Sequence, residues 1–418
     1  MKTFLWLLIP FVTSSHASAI SIERLLERVS LDYFLEQTHP TSGLVRDRAR
    51  NFSETPNTTH YAVSSIAATG FGLAVVSHAG VRGLVAPVEA YNRVLRTLTF
   101  VEKHLSHKRG WLYHFVDWEK GERFRNSEIS TIDTALFIAG ALYAAESYPN
   151  TEVAAITQRL YERLDFFDML TDGGTQPQKL TLSMGWTPEE GYLKAQWNSY
   201  SELLILVLLG LGHPNPLPKE VWSEWERVWN EPQRSLGFYL PLFVHQYSHL
   251  FVDFRGFTEG DVNFFENSRQ ATLFNRRTSL VGGGSRTYHE GFWGLSAGDA
   301  IDGYAPFSPA WHDGTVCPSC AGASAMFLPV LVLSDMQSWL TGRYGNWLWG
   351  RYGMTDSLNL DQNWKSPDAI GITVGALYLS LANLSHVARP NEVVGKTPAL
   401  RRAFRKLGQA RIVALEKN

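Results

Sequence analysis

Three carboxylates stand where a buried helix would begin, and paired carboxylates on facing elements can share general acid and base work. Glu128 and Asp133 open the stretch Ser127-Glu128-Ile129-Ser130-Thr131-Ile132-Asp133, which then runs without charge to Glu146. Glu202 follows Tyr200-Ser201 and leads into an apolar run ending at Leu211, where an unpaired charge would be costly. If helical throughout, the first stretch points Glu128 and Asp133 about 140° apart, so one spot cannot receive both without a distorted first turn. The competing roles are structural: Ser130-Thr131-Ile132-Asp133 matches a capping pattern, and an acidic first turn compensates the helix dipole. Against these, Glu202 at the head of an aliphatic run predicts a desolvated carboxyl that keeps a proton near neutral pH. Glu202 is therefore expected to be the general acid or its nearest partner, with Glu128 or Asp133 completing the acidic pocket.

Loops between the apolar runs carry aromatics beside glycine and polar residues: Trp186, Trp197, Tyr200, Tyr247, Trp293 with Asp299, and Trp311 with Asp313. Aromatic faces stack on the C–H face of a sugar while nearby amides, carboxylates and guanidinium groups bond its hydroxyls, so carbohydrate is the ligand class this set implies. Burial in an aromatic core is the structural alternative for many of them. His245, His249 and Asp253 fall at i, i+4 and i+8, one helical face that could ligate a metal. No His-Glu-x-x-His occurs and Arg255 adds a cation beside it, which favours a hydrogen-bonding face; His245, Asp253 and Arg255 are then candidate substrate contacts, with no metal and no cofactor expected. Gly282-Gly283-Gly284 lacks the Lys-Ser/Thr of a phosphate loop, and no Gly-x-Ser-x-Gly elbow is present.

The elements that must hold these residues alternate between two kinds of helix. Segments 64–77, 127–145 and 200–211 are apolar almost throughout and read as inner helices, whereas 21–37, 87–107, 153–170 and 219–229 are amphipathic and read as outer ones, with a further helix expected over 370–384. Further helices are expected over 241–252, 261–276 and 323–340, with a basic amphipathic one over 398–415; Gly110–Phe115 and Ser235–Leu240 are the hairpin candidates. About a dozen helices in this alternation predict an all-α fold, the (α/α)6 barrel or toroid, with short hairpins in its loops. An open solenoid would need a fixed repeat, and none is visible. The inner helices of such a barrel run parallel, which gathers Glu128, Asp133 and Glu202 at one mouth.

Met1-Lys2, an apolar run from Phe4 to Val12 and Ala17-Ser18-Ala19 predict a signal peptide over 1–19, cleaved after Ala19, followed by one domain over 20–418. The expected location is the periplasm or the exterior of a bacterium, with no integral membrane segment. A net charge of −2 and a single basic run near the C-terminus argue against nucleic acid as a partner, and a monomer is expected. The two cysteines, Cys317 and Cys320, suit a local disulfide staple; a redox pair or half a zinc site are the alternatives.

Several dissimilar motifs recur in one order: Ser65-Ile66-Ala67-Ala68-Thr69-Gly70-Phe71-Gly72-Leu73, Tyr113-His114-Phe115-Val116-Asp117, Ser127 to Ala135, Tyr200-Ser201-Glu202, His245-Gln246-Tyr247-Ser248, Asp253-Phe254-Arg255-Gly256 and Trp293 to Asp299. Together they resemble the glucoamylase-like domain of glycoside hydrolase family 144, over roughly Ser21 to Leu384. The resemblance implies an (α/α)6 fold and hydrolysis of β-1,2-glucan, mostly by endo attack releasing sophorose and short oligomers, with acidic pocket residues falling on Glu128, Asp133 and Glu202. A non-catalytic carbohydrate-binding barrel, or an enzyme of different linkage or transfer activity, is the alternative.

Overall fold

The structure, a computed structural model, describes residues 21–55, 62–170, 180–230, 235–282 and 284–409. The expected leader lies outside them. The fold is helix-rich. Helices Ile66–Val81, Thr131–Ser147, Leu203–Gly212, Leu242–Phe251, Pro318–Gly322 and Gly371–Ala382 are buried along most of their length. Each packs on the next in that order, and the Gly371 helix packs back on the Ile66 helix. Against them lie Pro87–His104 on the Ile66 helix, Glu152–Glu162 on the Thr131 helix and Pro398–Lys406 on the Leu203 helix. Phe264–Gly282 packs on the Leu242 helix, Pro329–Thr341 on the Pro318 helix and Ile22–Glu36 on the Gly371 helix.

Composition decides this sorting. The Leu203 helix contains no polar side chain and every residue in it is buried. The Pro87 helix buries only Ala90, Val94, Thr97, Leu98 and Val101, a stripe at helical spacing. Where the Ile66 and Thr131 helices cross, a Cβ on Gly140 would stand 1.9 Å from the Gly70 carbonyl oxygen and one on Gly70 would stand 2.3 Å from the Phe137 Cα. The pair of glycines sets how closely these helices approach.

Several boundaries differ from expectation, each for a local reason. The helix expected from Ser127 begins at Thr131, because Ile129 and Ser130 pair with Gly185 and Trp186 and the Ser130 hydroxyl accepts the Asp133 N–H. Segment 323–340 is divided: Pro318–Gly322 precedes it and the next helix starts at Pro329, a residue that cannot continue a helix but opens one well. Only Val221–Glu224 is helical within 219–229. The tail helix expected over 398–415 stops at Lys406, with Gly408 in the left-handed region as a terminator; residues 410–415 lie outside the described ones.

Both expected hairpin segments are found, Trp111–Leu112 pairing with His107–Lys108 and Ser235–Leu236 with Trp229–Asn230. Other strands of two to four residues lie at the N-terminal ends of the buried helices and in the loops between them. Val63–Ser65 pairs with Phe115–Asp117, Arg48–Arg50 with Asp368–Ile370, and Ala297–Ala300 with Gly303–Pro306. Cys317 and Cys320 form a disulfide across the start of the Pro318 helix, as the staple reading expects. No helix among the described residues is long and apolar enough to cross a membrane.

Candidate active site

The strand pairs that precede the buried helices bring a set of carboxylates to one end of the fold. Glu128 is not helical: it precedes the Ile129–Ser130 strand, so the 140° divergence does not apply. His114, from the chain entering Phe115–Asp117, reaches both acids, donating from Nδ1 to Glu128 Oε1 at 2.9 Å with Nε2 3.5 Å from Asp133 Oδ1. Burial alone would strip the proton from His114, but the charges of Asp133 and Glu128, the Glu128 hydrogen bond and Asp47 outweigh it, and its pKa rises to about 9. Burial would raise the Glu128 carboxyl as well; the bond and charge of His114 reverse this and hold it below its ordinary value. Asp133 sits in the first turn of its helix and accepts from Ser130 Oγ at 2.5 Å.

Glu202 occupies the N-cap position of the Leu203 helix without capping it. Its backbone is held instead: Ser248 Oγ donates to the Glu202 carbonyl at 2.8 Å and accepts from Ile205 N at 3.1 Å, tying two buried helices at this level. The side chain keeps partial contact with solvent, yet protein encloses it enough that desolvation, aided by Asp133, raises its pKa to about 7. The Tyr247 phenol, half-buried between Phe71 and Phe243, feels the charges of Glu202, Asp356 and Asp133 together.

A second group completes this end. Arg48 donates to Asp47 at 3.1 Å and to Asp299 at 2.9 Å, and Asp299 also accepts from Ser366 Oγ at 2.6 Å. Asp356 is buried and accepts from the Asp299 N–H and from Ser357 Oγ, both at 2.9 Å; burial and the Asp299 charge push its carboxyl up. A Cβ on Gly298 would stand 2.8 Å from that carboxylate, so the approach depends on the glycine. Tyr304, paired with Asp299 in its hairpin, is 52% exposed and feels Asp356, Asp47, Arg48 and Asp299.

Of the residues singled out from the sequence, Glu128, Asp133, Glu202, Tyr247 and Asp299 are brought together. The others are not part of this cluster. Trp197 and Tyr200 are buried: Trp197 Nε1 donates to Thr131 Oγ1 at 2.8 Å, and the Tyr200 hydroxyl lies 3.3 Å from His245 Nδ1. His245 Nε2 donates to the Gly237 carbonyl at 2.9 Å, His249 Nε2 bonds Ser268 Oγ at 3.0 Å, and Asp253 pairs with Arg255 at 2.9 Å beyond the C-terminal end of the helix. The three possible ligands are thus spent on separate neighbours, and among the described residues no group of three or more His, Cys, Asp or Glu could hold a metal. Trp293 is wholly buried with Nε1 on Asp335 at 2.8 Å. Trp186 shares its strand face with Tyr192 over the Lys108 ammonium, whereas Gly185 is the residue facing Glu128. Trp311 stands 57% exposed, stacked on Phe307 at 5.1 Å, and Asp313 bonds the Thr315 N–H in an exposed turn.

His114, Asp47, Arg48 and Asp356 were absent from the expected set. His114 lay inside a quoted motif, but its 14-residue separation from Glu128 is bridged by strand pairing and not by helical spacing.

Comparison with known proteins agrees with the glucoamylase-like resemblance drawn from the motifs. Residues 194–387 match the Glycoamylase family model, described as “Putative glucoamylase”. An exo β-1,2-glucooligosaccharide sophorohydrolase (non-reducing end) of Parabacteroides distasonis is 24% identical over 410 residues, covering 86% of this chain and 54% of the relative; the chain thus spans about half the length of the relative it matches. The endo-β-1,2-glucanase of Chitinophaga pinensis, solved with sophorotriose and glucose, superposes with a TM-score of 0.83 at 20% identity, over 92% of this chain and 97% of the other. A β-1,2-glucanase of Parabacteroides distasonis superposes with a TM-score of 0.82 at 21% identity, over 93% of this chain and 60% of the other.

Proposed function

We propose that this protein is an exported glycoside hydrolase that cleaves β-1,2-glucan by endo attack and releases sophorose and short oligosaccharides. One observation carries the reading: Glu202 has a pKa of about 7 beside Asp133, and Glu128, bridged to Asp133 by His114, is held below its ordinary value, so one end of the fold offers a proton donor and a proton acceptor at the same pH. The names of the similar proteins supply the linkage. The expected leader over 1–19 supports export.

The reading includes an (α/α)6 barrel, six buried helices ringed by six amphipathic ones. Its support is the closed order of helix contacts, in which the Gly371 helix returns to the Ile66 helix. A barrel of this kind opens a mouth where the N-terminal ends gather, and Asp133, Glu202 and Asp368 all precede or begin buried helices.

In the mechanism Glu202 protonates the glycosidic oxygen, and a carboxylate of the segment Glu128 to Asp133 takes a proton from water on the opposite face of the sugar. Asp356 also has a raised pKa, but it is 1% exposed and one of its oxygens is committed to the Asp299 N–H and to Ser357, so Glu202 is the better donor. The reading includes inversion, because an acid and a base carried by separate segments of the chain suit the gap of roughly 6.5–9.5 Å that admits a water, against about 5–5.5 Å for retention. A β-anomer as first product would remove this step.

The test is incubation with linear β-1,2-glucan while reducing sugar and product lengths are followed. A ladder of oligomers is expected; sophorose alone from the first minutes would establish the exo mode named for the Parabacteroides distasonis sophorohydrolase. Release from another glucan only would sink the linkage. No release from any glucan would favour a carbohydrate-binding barrel.

A further inference from the structure

His114 is half-buried, and both of its ring nitrogens meet carboxylates. Nδ1 is 2.9 Å from Glu128 and Nε2 is 3.5 Å from Asp133, while the ring lies stacked on Phe115 with centroids 3.8 Å apart. Its backbone is fixed as well, the N–H donating to the Glu128 carbonyl at 2.8 Å and the carbonyl accepting from Ile66 N at 3.1 Å. A neutral imidazole carries one N–H and would present a lone pair to one of the two anions. Only the imidazolium suits both contacts.

We propose that His114 is a positioning residue: an imidazolium wedged between Glu128 and Asp133 that keeps the Glu128 carboxylate ionised and the two acids apart, leaving the catalytic proton to Glu202. This rests on the glycosidase reading above. His114 does not serve as the acid itself, since both of its N–H groups are already committed to side chains of the chain.

Every charged group facing the ring acts in the same sense or is otherwise engaged. Glu128 and Asp133 flank it, and Asp47 approaches from the Arg48–Arg50 strand. Arg48, which follows Asp47, is bound to Asp47 and Asp299. Arg123 reaches toward Glu128 but forms its own bidentate pair with Glu189. Glu202 faces Asp133 from the start of the Leu203 helix. Three anions around one imidazole stabilise its charge; in return, the imidazolium holds the Glu128 carboxyl below its ordinary value against the cost of burial. Without it, burial would push the Glu128 carboxyl up and the site would lose its base as pH falls.

The experiment has two independent readings. In the first, the protein is labelled with 15N-histidine and the imidazole resonances are followed between pH 6 and pH 10. One set, missing in His114→Gln, is expected to keep the doubly protonated pattern until about pH 9; titration near 6.5 would overturn the proposal. In the second, rates on β-1,2-glucan are measured against pH. His114→Gln should move the acid limb of kcat/KM upward with KM nearly unchanged, and each unit of carboxyl pKa gained costs about 10-fold in rate on that limb. A loss of rate equal at all pH values would reduce His114 to a structural prop and overturn the proposal. If His114→Gln does not fold, Glu128→Gln reads the same coupling from the other side: the His114 midpoint should fall, and an unmoved midpoint overturns the proposal. A wild type that ignores β-1,2-glucan but shows the imidazolium signature would sink the proposed function and leave the clamp standing.

Discussion

Two regions of this molecule hold histidines among carboxylates and aromatics, and they behave in opposite ways. At the mouth, the nitrogens of His114 meet Glu128 and Asp133, and its pKa rises to about 9. In the body of the Leu242 helix, His245 meets the Tyr200 hydroxyl and the Gly237 carbonyl, and His249 meets the Ser268 hydroxyl among Phe254, Phe265 and Phe327. There burial dominates, and the values fall to about 4 and about 3. Residue type is shared; partners differ. A half-buried imidazole surrounded by anions becomes a charge that organises chemistry, whereas a buried one surrounded by neutral dipoles becomes a hydrogen-bonding wedge in the core.

The sharpest way to break this contrast is to change one member of each region and count turnovers. Glu202→Gln removes the proposed donor while keeping its shape, so turnover should fall by about 10²–10⁴ with an unchanged circular dichroism spectrum. His245→Gln and Asp253→Asn should leave turnover per folded molecule within a fewfold of wild type. If Asp253→Asn abolishes turnover and Glu202→Gln does not, the mouth carboxylates are helix-end residues and the chemistry lies elsewhere.

The stability measurement should run the other way. His249→Ala strands the Ser268 hydroxyl and opens space between Phe254 and Phe327, a loss of about 1–3 kcal/mol for the unsatisfied partner alone. Glu202→Gln should unfold at the same temperature as wild type or higher, since a desolvated carboxyl is replaced by a neutral amide. Thermal melts at neutral pH check both; a Glu202→Gln protein less stable than His249→Ala would show the mouth to be a structural centre.

The same division governs stability against pH. His78, His245 and His249 titrate near 4, 4 and 3 in the native state, below the ordinary 6.5. Between those values the unfolded chain binds the extra protons, so these histidines cost stability as pH falls from 6.5 toward 4. His114 is raised, so its contribution is complete below 6.5 and is lost as pH rises through about 9. Melting temperature followed from pH 4 to pH 10 should therefore lose its acid slope in part in His249→Gln and its alkaline slope in part in His114→Gln. Exchange of the two effects would contradict the assignment of charge in both regions.

Much of the scaffold was legible because the buried helices are apolar all round, as in Leu203–Gly212, where no register ambiguity can arise. Glu202 was legible for the same reason, being a charge at the head of such a run. The mouth was not. Its strands are two or three residues long, such as Ile129–Ser130, too short for alternation to register, and they decide which loop residues meet. Asp356 and Asp368 come from a segment with no helical pattern, and Arg48 from a turn-rich loop, so nothing in the spacing joined them to Asp299. At His245 and Asp253 the hydrogen-bonding face was legible but its partners were not, since i, i+4 spacing puts side chains on one helix face and does not say what the face packs against.

The smallest expected effect tests whether the mouth extends beyond its charged cluster. Trp311 is 57% exposed, and its ring lies at 8° to Phe307 and 5.1 Å from it, a held apolar face with no partner ring on the other side among the described residues. It follows the Gly303–Pro306 strand that carries Tyr304, itself under the influence of Asp356 and Asp299, so a chain leaving the carboxylates along that hairpin would pass Tyr304 before reaching Trp311. Stacking on one aromatic ring contributes about 0.5–1.5 kcal/mol, which is about 2- to 10-fold in KM. Trp311→Ala should raise KM by that factor on long β-1,2-glucan, leave kcat close to wild type and leave the shortest cleaved oligosaccharide unaffected, because that substrate ends before the platform. A KM change equal for long and short substrates would place Trp311 beside the cleavage point, while no change for either would make it an exposed ring kept for packing on Phe307.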